Sequence, residues 1–134
     1  MASKRIKIPE EHQAEIGIFG GTANYDPALV KDTKEIKVYT PYGAPSDFIY
    51  VGWIKDRKVA FLARHGKRHI YPNYKVNWRA NVWAMKELGV TRVISPCAVG
   101  SLQPEKINPY EFVLIDQFFD RTTTRRSLSF YEGG

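Results

Sequence analysis

The feature that most constrains the fold is an apolar run ending on two glycines, within AEIGIFGGTANYDP at residues 14–27. The apolar part, residues 14–20, predicts a short strand, and Gly20 and Gly21 allow the backbone to turn sharply after it. Free backbone N–H groups in such a loop, together with the hydroxyl of Thr22, suit a small oxyanion. A tight turn without a ligand is the alternative, and this loop alone does not decide between the two.

Two common nucleotide-binding loops do not fit this spacing. The dinucleotide fingerprint requires G-x-G-x-x-G at the start of a helix, whereas the glycines here are Gly17, Gly20 and Gly21, and Pro27 follows closely. The P-loop requires a lysine directly after its last glycine, and neither Gly20 nor Gly21 is followed by one. With dinucleotides and P-loop nucleotides excluded, a ligand of this loop would be free phosphate or a similar small anion.

Further apolar patterns along the chain predict the other strands. The alternation at 33–40 predicts a strand with one face toward the core, and the runs 48–54 and 58–63, joined by a polar turn, predict a β-hairpin. The stretch 90–95 predicts a short buried strand, and 111–120 predicts a long apolar one. Strands interleaved with a helix indicate an α/β domain with a mixed sheet.

One helix is predicted between the hairpin and the strand at 90–95. Asn77 can cap its start and Gly89 can end it, while Trp78, Val82 and Met85 recur at the spacing of one helical face. The chain then finishes soon after a core-type strand without a closing helix. We therefore expect it to be part of a larger fold.

Two more loops carry chemistry that suits an anion. Arg64 offers a planar fork that matches phosphate, and His65 is a neighbouring donor. The next basic residues, Lys67 and Arg68, are better explained as surface. The loop at 95–101, again small and glycine-containing, can add backbone N–H groups. Each loop follows a predicted strand, so we expect the three to converge at one sheet edge and form a phosphate site.

Composition excludes several other classes of protein. The 134 residues include 20 lysines and arginines against 14 acidic residues, a net charge of +6. Nucleic-acid-binding motifs do not accompany this charge, so we expect no nucleic-acid partner. The chain has neither a run of roughly 20 apolar residues to cross a membrane nor a signal peptide in its basic tail at 1–13. A single cysteine, Cys97, excludes an internal disulfide. We expect a cytoplasmic protein without a membrane partner.

The stretches IGIFGGT, RHGKRH, NWRANVWAMKELGV, SPCAVGSL and DQFFDRTT, in this order, resemble the N-terminal half of the 5′-methylthioadenosine phosphorylases. These belong to the trimeric purine nucleoside phosphorylase family. The resemblance runs from about residue 14 to 132. It implies a three-layer α/β/α fold with a mixed central sheet, of the phosphorylase/hydrolase-like kind. Residues 14–134 would then be the N-terminal part of a single nucleoside phosphorylase domain.

The resemblance also implies an activity. Such enzymes use inorganic phosphate as co-substrate, without cofactor or metal, to cleave methylthioadenosine into adenine and 5-methylthioribose 1-phosphate. The expected partners are the purine nucleoside, phosphate and a complementary C-terminal chain, in a homotrimer or in a trimer or hexamer of such pairs. A phosphorylase for inosine, guanosine or adenosine is one alternative. A non-catalytic phosphate- or nucleoside-binding fragment is another, from a different class.

Site roles follow from the matched motifs. Thr22, Arg64 and His65 match phosphate ligands, and the backbone N–H groups of Cys97 and Ala98 match contacts to phosphate and ribose. His69 matches either a residue near the 5′ end of the nucleoside or a structural histidine. No catalytic residue is expected in this chain, because the acids that bind the base lie in the missing half.

Several positions depart from the family pattern or need separate interpretation. Ala23 replaces the usual glycine, and Pro96 and Cys97 occupy positions where relatives carry threonine, serine or asparagine. Cys97 therefore either lines the pocket or packs in the core. Asp116 and Asp120 cannot be taken as the base-binding acids, and we expect them to organise the sheet edge and the following turn.

Overall fold

A computed structural model describes residues 8–21, 29–122 and 129–131. Within these ranges the structure contains one α-helix and a sheet of five strands. The strands are β1 (Ile16–Gly20), β2 (Lys31–Ile36), β3 (Ile49–Ile54), β4 (Arg57–Ala63) and β5 (Arg92–Ile94), and the helix is α1 (Trp78–Glu87). Short 3-10 turns at Glu10–His12 and Asn73–Lys75 complete the regular structure.

The sheet is mixed, with strand order β2-β3-β4-β1-β5. Strands β3 and β4 form the predicted hairpin, β2 pairs antiparallel with β3, and β1 is parallel to both β4 and β5. The expected α/β class with a mixed central sheet is confirmed. Because β1, β4 and β5 run in the same direction, their carboxyl ends meet at one edge of the sheet.

Helix α1 packs on the sheet face that carries Phe19 and Leu62. The Asn77 side chain accepts a hydrogen bond from the Ala80 N–H, as a helix cap does. At the other end Gly89 adopts a φ of +77°, which glycine tolerates without strain. The helix and both end signals are therefore confirmed. Its buried side chains are Ala80, Asn81, Ala84 and Met85.

The predicted apolar face of α1 was partly wrong. Met85 is fully buried, but Val82 is 41% exposed. The buried face instead follows Asn81, Met85 and Leu88, so it is centred about one residue away from the predicted stripe. A polar asparagine is buried there because its side chain is paired by hydrogen bonds to Ser46.

Three strand predictions need correction. Strand β2 begins earlier than predicted, at Lys31, and its side chains are almost all exposed. Strand β5 forms, but as an exposed edge strand rather than a buried one. The apolar stretch 111–120 forms no strand and is exposed throughout. Strand β2 is mainly polar, which explains its exposure. The apolar side chains of β5 and 111–120 are exposed because no neighbouring element among the described residues covers them.

Residues 95–122 form no regular helix or strand, and nearly all of them are exposed. One turn within this segment is held by Glu111, whose carboxylate accepts hydrogen bonds from the side chain and the backbone N–H of Asn108, both at 2.9 Å. These bonds to the charged form lower the pKa of Glu111. The carboxylate therefore keeps its charge and its two bonds in mildly acidic solution.

The amino-terminal stretch contacts the core. Ile8 packs against the core cluster, and the side chain of Gln13 donates a hydrogen bond to the Ile8 carbonyl at 3.3 Å. Ile8, Pro9, Glu10 and Gln13 line a depression of about 430 Å³. This depression involves none of the predicted site residues. The part of the predicted tail at 1–7 lies outside the described residues.

None of the helices in the described ranges has the length and apolar character needed to cross a membrane.

Candidate phosphate-binding site

The candidate site lies where the parallel strands β1, β4 and β5 end. Arg64 directly follows β4, and its backbone N–H donates to the carbonyl of Gly20, the last residue of β1, at 3.0 Å. Pro96 comes two residues after β5. The three loops that the sequence predicted to converge are therefore brought to one sheet edge, at Gly20–Gly21, Arg64–His65 and Pro96.

The guanidinium of Arg64 connects these loops. Its Nη1 donates to the Pro96 carbonyl at 3.0 Å and to the Phe19 carbonyl at 3.3 Å. The side chain is half-buried. Arginine suits this position because its planar fork presents five donors, so bonds to two carbonyls leave other N–H groups to bind an anion.

Gly21 makes room for this guanidinium. A Cβ at Gly21 would lie 2.4 Å from Nη2 of Arg64 and 2.8 Å from its Cζ, which is closer than real side chains approach. From the sequence, this glycine was expected to allow a sharp turn that exposes backbone N–H groups. The structure adds a second reason, because the arginine side chain lies directly against the glycine backbone.

Both ring nitrogens of His65 have partners. Nδ1 lies 3.0 Å from the carbonyl oxygen of Tyr71, and Nε2 lies 3.3 Å from Nε of Arg64. A carbonyl can only accept and a guanidinium can only donate. We therefore assign the neutral imidazole with its proton on Nδ1, donating to Tyr71 and accepting from Arg64.

His69 stacks on His65, with ring centroids 5.2 Å apart and planes 22° apart. Its backbone has a φ of +54°, and Gly66 in the same turn has +75°. His69, Lys67 and Arg68 are exposed. The stack keeps His69 at the edge of the site.

In the third loop the structure places Cys97 and Ala98 beside Pro96, and both are exposed. Cys97 therefore does not pack in the core of the described residues. The contact of this loop with the site runs through the Pro96 carbonyl, which Arg64 binds. This bond fixes the start of the loop relative to β4.

The remaining predicted residues lie outside the described residues or away from the site edge. Thr22 and Ala23 fall in 22–28, outside the described residues. Asp116 and Asp120 are exposed. Asp120 accepts bonds from the Thr122 N–H and hydroxyl at 2.8 and 2.7 Å, so it holds the start of the following turn.

Sequence reasoning missed three residues that support the site: Tyr71, Asp47 and Asn81. The Tyr71 carbonyl orients His65, and Asp47 binds the backbone of Lys67 at 2.6 Å. Asp47 precedes Lys67 by 20 residues, so no local spacing signals this contact. The only sequence signal for this contact is the general tendency of Asp and Asn side chains to bond to backbone groups.

The arrangement can bind an oxyanion. A guanidinium, an imidazole and small-residue loops meet at the carboxyl ends of parallel strands, a place where open α/β sheets bind ligands. Among the described residues, no three His, Cys, Asp or Glu side chains are grouped to hold a metal ion. Arg64 brings a positive charge to this edge, and its guanidinium keeps donors that are not used by the two carbonyls.

Fold and geometry together define an α/β protein with a candidate anion site at a sheet edge. The chain belongs to the phosphorylase superfamily, whose family model matches residues 15–134. The predicted family resemblance is thereby confirmed.

Individual relatives show the same likeness. The chain is 56% identical over 124 residues to the S-methyl-5′-thioadenosine phosphorylase of Nitrosopumilus maritimus, covering 92% of this chain and 46% of that protein. It is 54% identical over 127 residues to the enzyme of that name from Saccharolobus solfataricus, covering 94% and 46%. It is 46% identical over 118 residues to the purine nucleoside phosphorylase of Streptomyces coelicolor, covering 88% and 41%.

Solved structures agree with these relatives. A methylthioadenosine phosphorylase from an antarctic soil metagenomic library superposes with a TM-score of 0.58 at 40% identity, over 63% of this chain and 29% of that one. The methylthioadenosine phosphorylase of Schistosoma mansoni in its apo form gives 0.57 at 43% identity, over 62% and 30%. The chain thus spans less than half the length of these relatives, which confirms that it corresponds to part of a larger fold.

Proposed function

We propose that this chain provides the phosphate-binding part of an enzyme that cleaves 5′-methylthioadenosine with inorganic phosphate, releasing adenine and 5-methylthioribose 1-phosphate. One observation carries the proposal. Arg64 bonds to His65, to Phe19 near the end of β1 and to Pro96 just after β5, in a chain more than half identical to two proteins named S-methyl-5′-thioadenosine phosphorylase.

The proposed chemistry is glycosyl transfer to phosphate. Breaking the bond between C1′ and N9 builds positive charge on the ribose, as in other reactions with oxocarbenium-like transition states. A phosphate anion held beneath the sugar stabilises this charge and then attacks C1′. A bond forms between a phosphate oxygen and C1′ as the C1′–N9 bond breaks. The electron pair of the broken bond leaves with the purine, which takes up a proton. Phosphate is a co-substrate here, and the reaction needs no cofactor.

Each predicted residue has a role in this scheme. Arg64 and His65 hold the phosphate, together with the hydroxyl of Thr22 and the backbone N–H of Ala98. Cys97 and Ala98 border the ribose, and His69 lies toward the 5′ end of the nucleoside. To donate to phosphate, His65 uses Nε2, which now accepts from Arg64, so binding requires a proton on that nitrogen and a rotation that turns the arginine N–H away from it. Acids that bind the purine belong to the missing half.

The proposed partner is a polypeptide that supplies that half. The edge strand β5 and the apolar residues of 111–120 are exposed, and large exposed apolar surfaces mark interaction sites. This region is where a complementary half covers the sheet. Assembly as a homotrimer, or as a trimer or hexamer of such pairs, and location in the cytoplasm complete the proposal.

A purine nucleoside phosphorylase acting on inosine, guanosine or adenosine is the second candidate. It is favoured by the 46% identity to the Streptomyces coelicolor protein of that name. The choice of purine is made by the half absent from this chain, so a panel of the four nucleosides decides between the two candidates.

The test measures base release from each nucleoside, with and without phosphate, by the chain combined with the complementary half of the Nitrosopumilus maritimus relative. Intact mass and subunit composition are determined on the same sample. We expect phosphate-dependent adenine release from methylthioadenosine. Lack of turnover in a sample shown to contain both halves would contradict the proposal, and phosphate binding without turnover would favour the non-catalytic fragment instead.

A further inference from the structure

A carboxylate outside the candidate site holds the turn that carries His65. Asp47 lies in the loop before β3. Its Oδ2 accepts a hydrogen bond from the Lys67 N–H at 2.6 Å, and its Oδ1 accepts one from the Phe48 N–H at 2.8 Å. Bonds to a charged acceptor are about twice as strong as neutral ones. The bond to Lys67 therefore ties the loop before β3 to the loop after β4.

Asp47 is itself anchored to the helix through its neighbour Ser46. Asn81 of α1 is fully buried, and its side chain accepts from the Ser46 N–H at 2.8 Å and donates to the Ser46 hydroxyl at 2.9 Å. Both polar groups of the asparagine are paired with one residue, which is the arrangement that a buried amide requires. The position of Asp47 is thus fixed relative to the core.

The turn held by Asp47 contains Gly66 and is closed by hydrogen bonds between His65 and Tyr71. Gly66 has a φ of +75°, and a Cβ there would lie 3.4 Å from the Ser46 carbonyl. The Tyr71 N–H donates to the His65 carbonyl at 3.0 Å, and the Tyr71 carbonyl faces Nδ1 of His65 at the same distance. A shift of the turn at Lys67 therefore moves the carbonyl that orients the imidazole.

We infer that Asp47 is a positioning residue for the phosphate site. Its carboxylate holds the Lys67 N–H, and through that turn it fixes the orientation of His65. Asp47 acts through the backbone and makes no contact with the anion. The inference rests on the proposed function in one respect, because it takes His65 as a phosphate ligand.

The test compares Asp47→Ala and Asp47→Asn with the control Asp56→Ala, which removes an exposed carboxylate from the β3–β4 turn. Asparagine keeps one oxygen acceptor of nearly the same shape, so it retains one of the two backbone bonds. Two readouts are used on the full chain: the ¹⁵N resonances of the His65 ring, which report its tautomer and orientation, and its titration with inorganic phosphate. With the complementary half present, the KM for phosphate and that for the nucleoside are measured separately.

We expect Asp47→Ala to move the His65 ring resonances and to weaken phosphate binding by up to about a hundredfold, the loss that a misplacement of about 1 Å can cause. The KM for the nucleoside is expected to stay unchanged, and Asp47→Asn is expected to restore most of the phosphate affinity. Asp56→Ala is expected to match the unaltered chain.

The inference is overturned if Asp47→Ala leaves both the His65 resonances and the phosphate titration as in the control, even where the melting temperature falls. If Asp47→Ala does not fold, Asp47→Asn decides by the ring resonances alone, because a neutral amide oxygen bonds the Lys67 N–H more weakly than the carboxylate does; a small shift of the ring signals is expected, and no shift overturns the inference. Absence of phosphate binding even with the complementary half present would contradict the proposed function, whereas the His65 ring resonances would still test the role of Asp47.

Discussion

Nη1 of Arg64 lies 3.0 Å from the carbonyl oxygen of Pro96, so a side chain that follows β4 holds the loop that follows β5. The same nitrogen reaches Phe19 in β1 at 3.3 Å. Three strand ends are therefore linked by one guanidinium. The residue proposed to bind phosphate also assembles the loops around it.

This double role predicts a strong effect of Arg64→Lys. Lysine keeps the positive charge but is a point donor, and it cannot bond two carbonyls and His65 in the same geometry. Hydrogen bonds to charged groups contribute about 1.5–3 kcal/mol, so we expect the KM for phosphate to rise about ten- to a hundredfold with the complementary half present. Arg57→Lys, in an exposed position of the hairpin, is the matched control. Equal phosphate KM values for the two variants would contradict the role of Arg64.

Gly21→Ala tests the contact between the glycine and the same guanidinium. The added Cβ would lie 2.4 Å from Nη2, so the arginine must move away from the loop after β1. We expect phosphate binding to weaken nearly as much as in Arg64→Ala, measured by calorimetric titration. The double variant Gly21→Ala/Arg64→Ala should then be no worse than Arg64→Ala alone. Additive losses would show that the glycine acts separately from the arginine.

Asn77→Ala tests the start of helix α1. The Asn77 side chain accepts from the Ala80 N–H, and it donates to the Tyr42 carbonyl at 2.8 Å. Loss of a helix cap costs about 0.5–2 kcal/mol, and we expect the free energy of unfolding to fall within this range or slightly beyond it because the bond to Tyr42 is lost as well. Urea unfolding measures the change. Asn73→Ala, in an exposed 3-10 turn, should leave the urea midpoint nearly unchanged.

Hydrogen exchange at the edge strand tests where the complementary half binds. The Arg92 N–H donates to the Glu15 carbonyl next to β1, so by strand alternation the Val93 N–H points to the open edge. We expect exchange at Val93 to slow markedly when the complementary half is added. Ile18, at the centre of the sheet between β4 and β5, should change much less. Unchanged exchange at Val93 in a proven complex would place the partner elsewhere.

Much of the fold was predictable because its signals are local. The apolar run before Gly20, the polar turn of the hairpin, and the Asn77 and Gly89 signals of the helix each depend on residues a few positions apart. The structure confirms each of these elements. The convergence of three loops was also predictable, since each loop follows a strand and parallel strands end at the same edge.

Most of the failed predictions concern burial. Residues 111–120 and β5 have the composition of core strands, yet they are exposed. Apolarity predicts that a segment will be covered, but the covering surface is not contained in the described part of this chain. The prediction that Val82 is buried was wrong for a related reason. The element that packs against a helix, and not the helical period alone, decides which side of the helix is buried.

The sequence by itself determined the local elements, the family and the chemical character of Arg64 and His65, because residue type and short-range spacing set these properties. Tertiary structure alone decided that the Arg64 guanidinium rests on Gly21 and holds Pro96. It also decided that Asp47 reaches Lys67 and that the Tyr71 carbonyl orients His65. These contacts join positions far apart in the chain or depend on turn geometry, and hydrogen bonds of that kind form only once the sheet has brought its strand ends together.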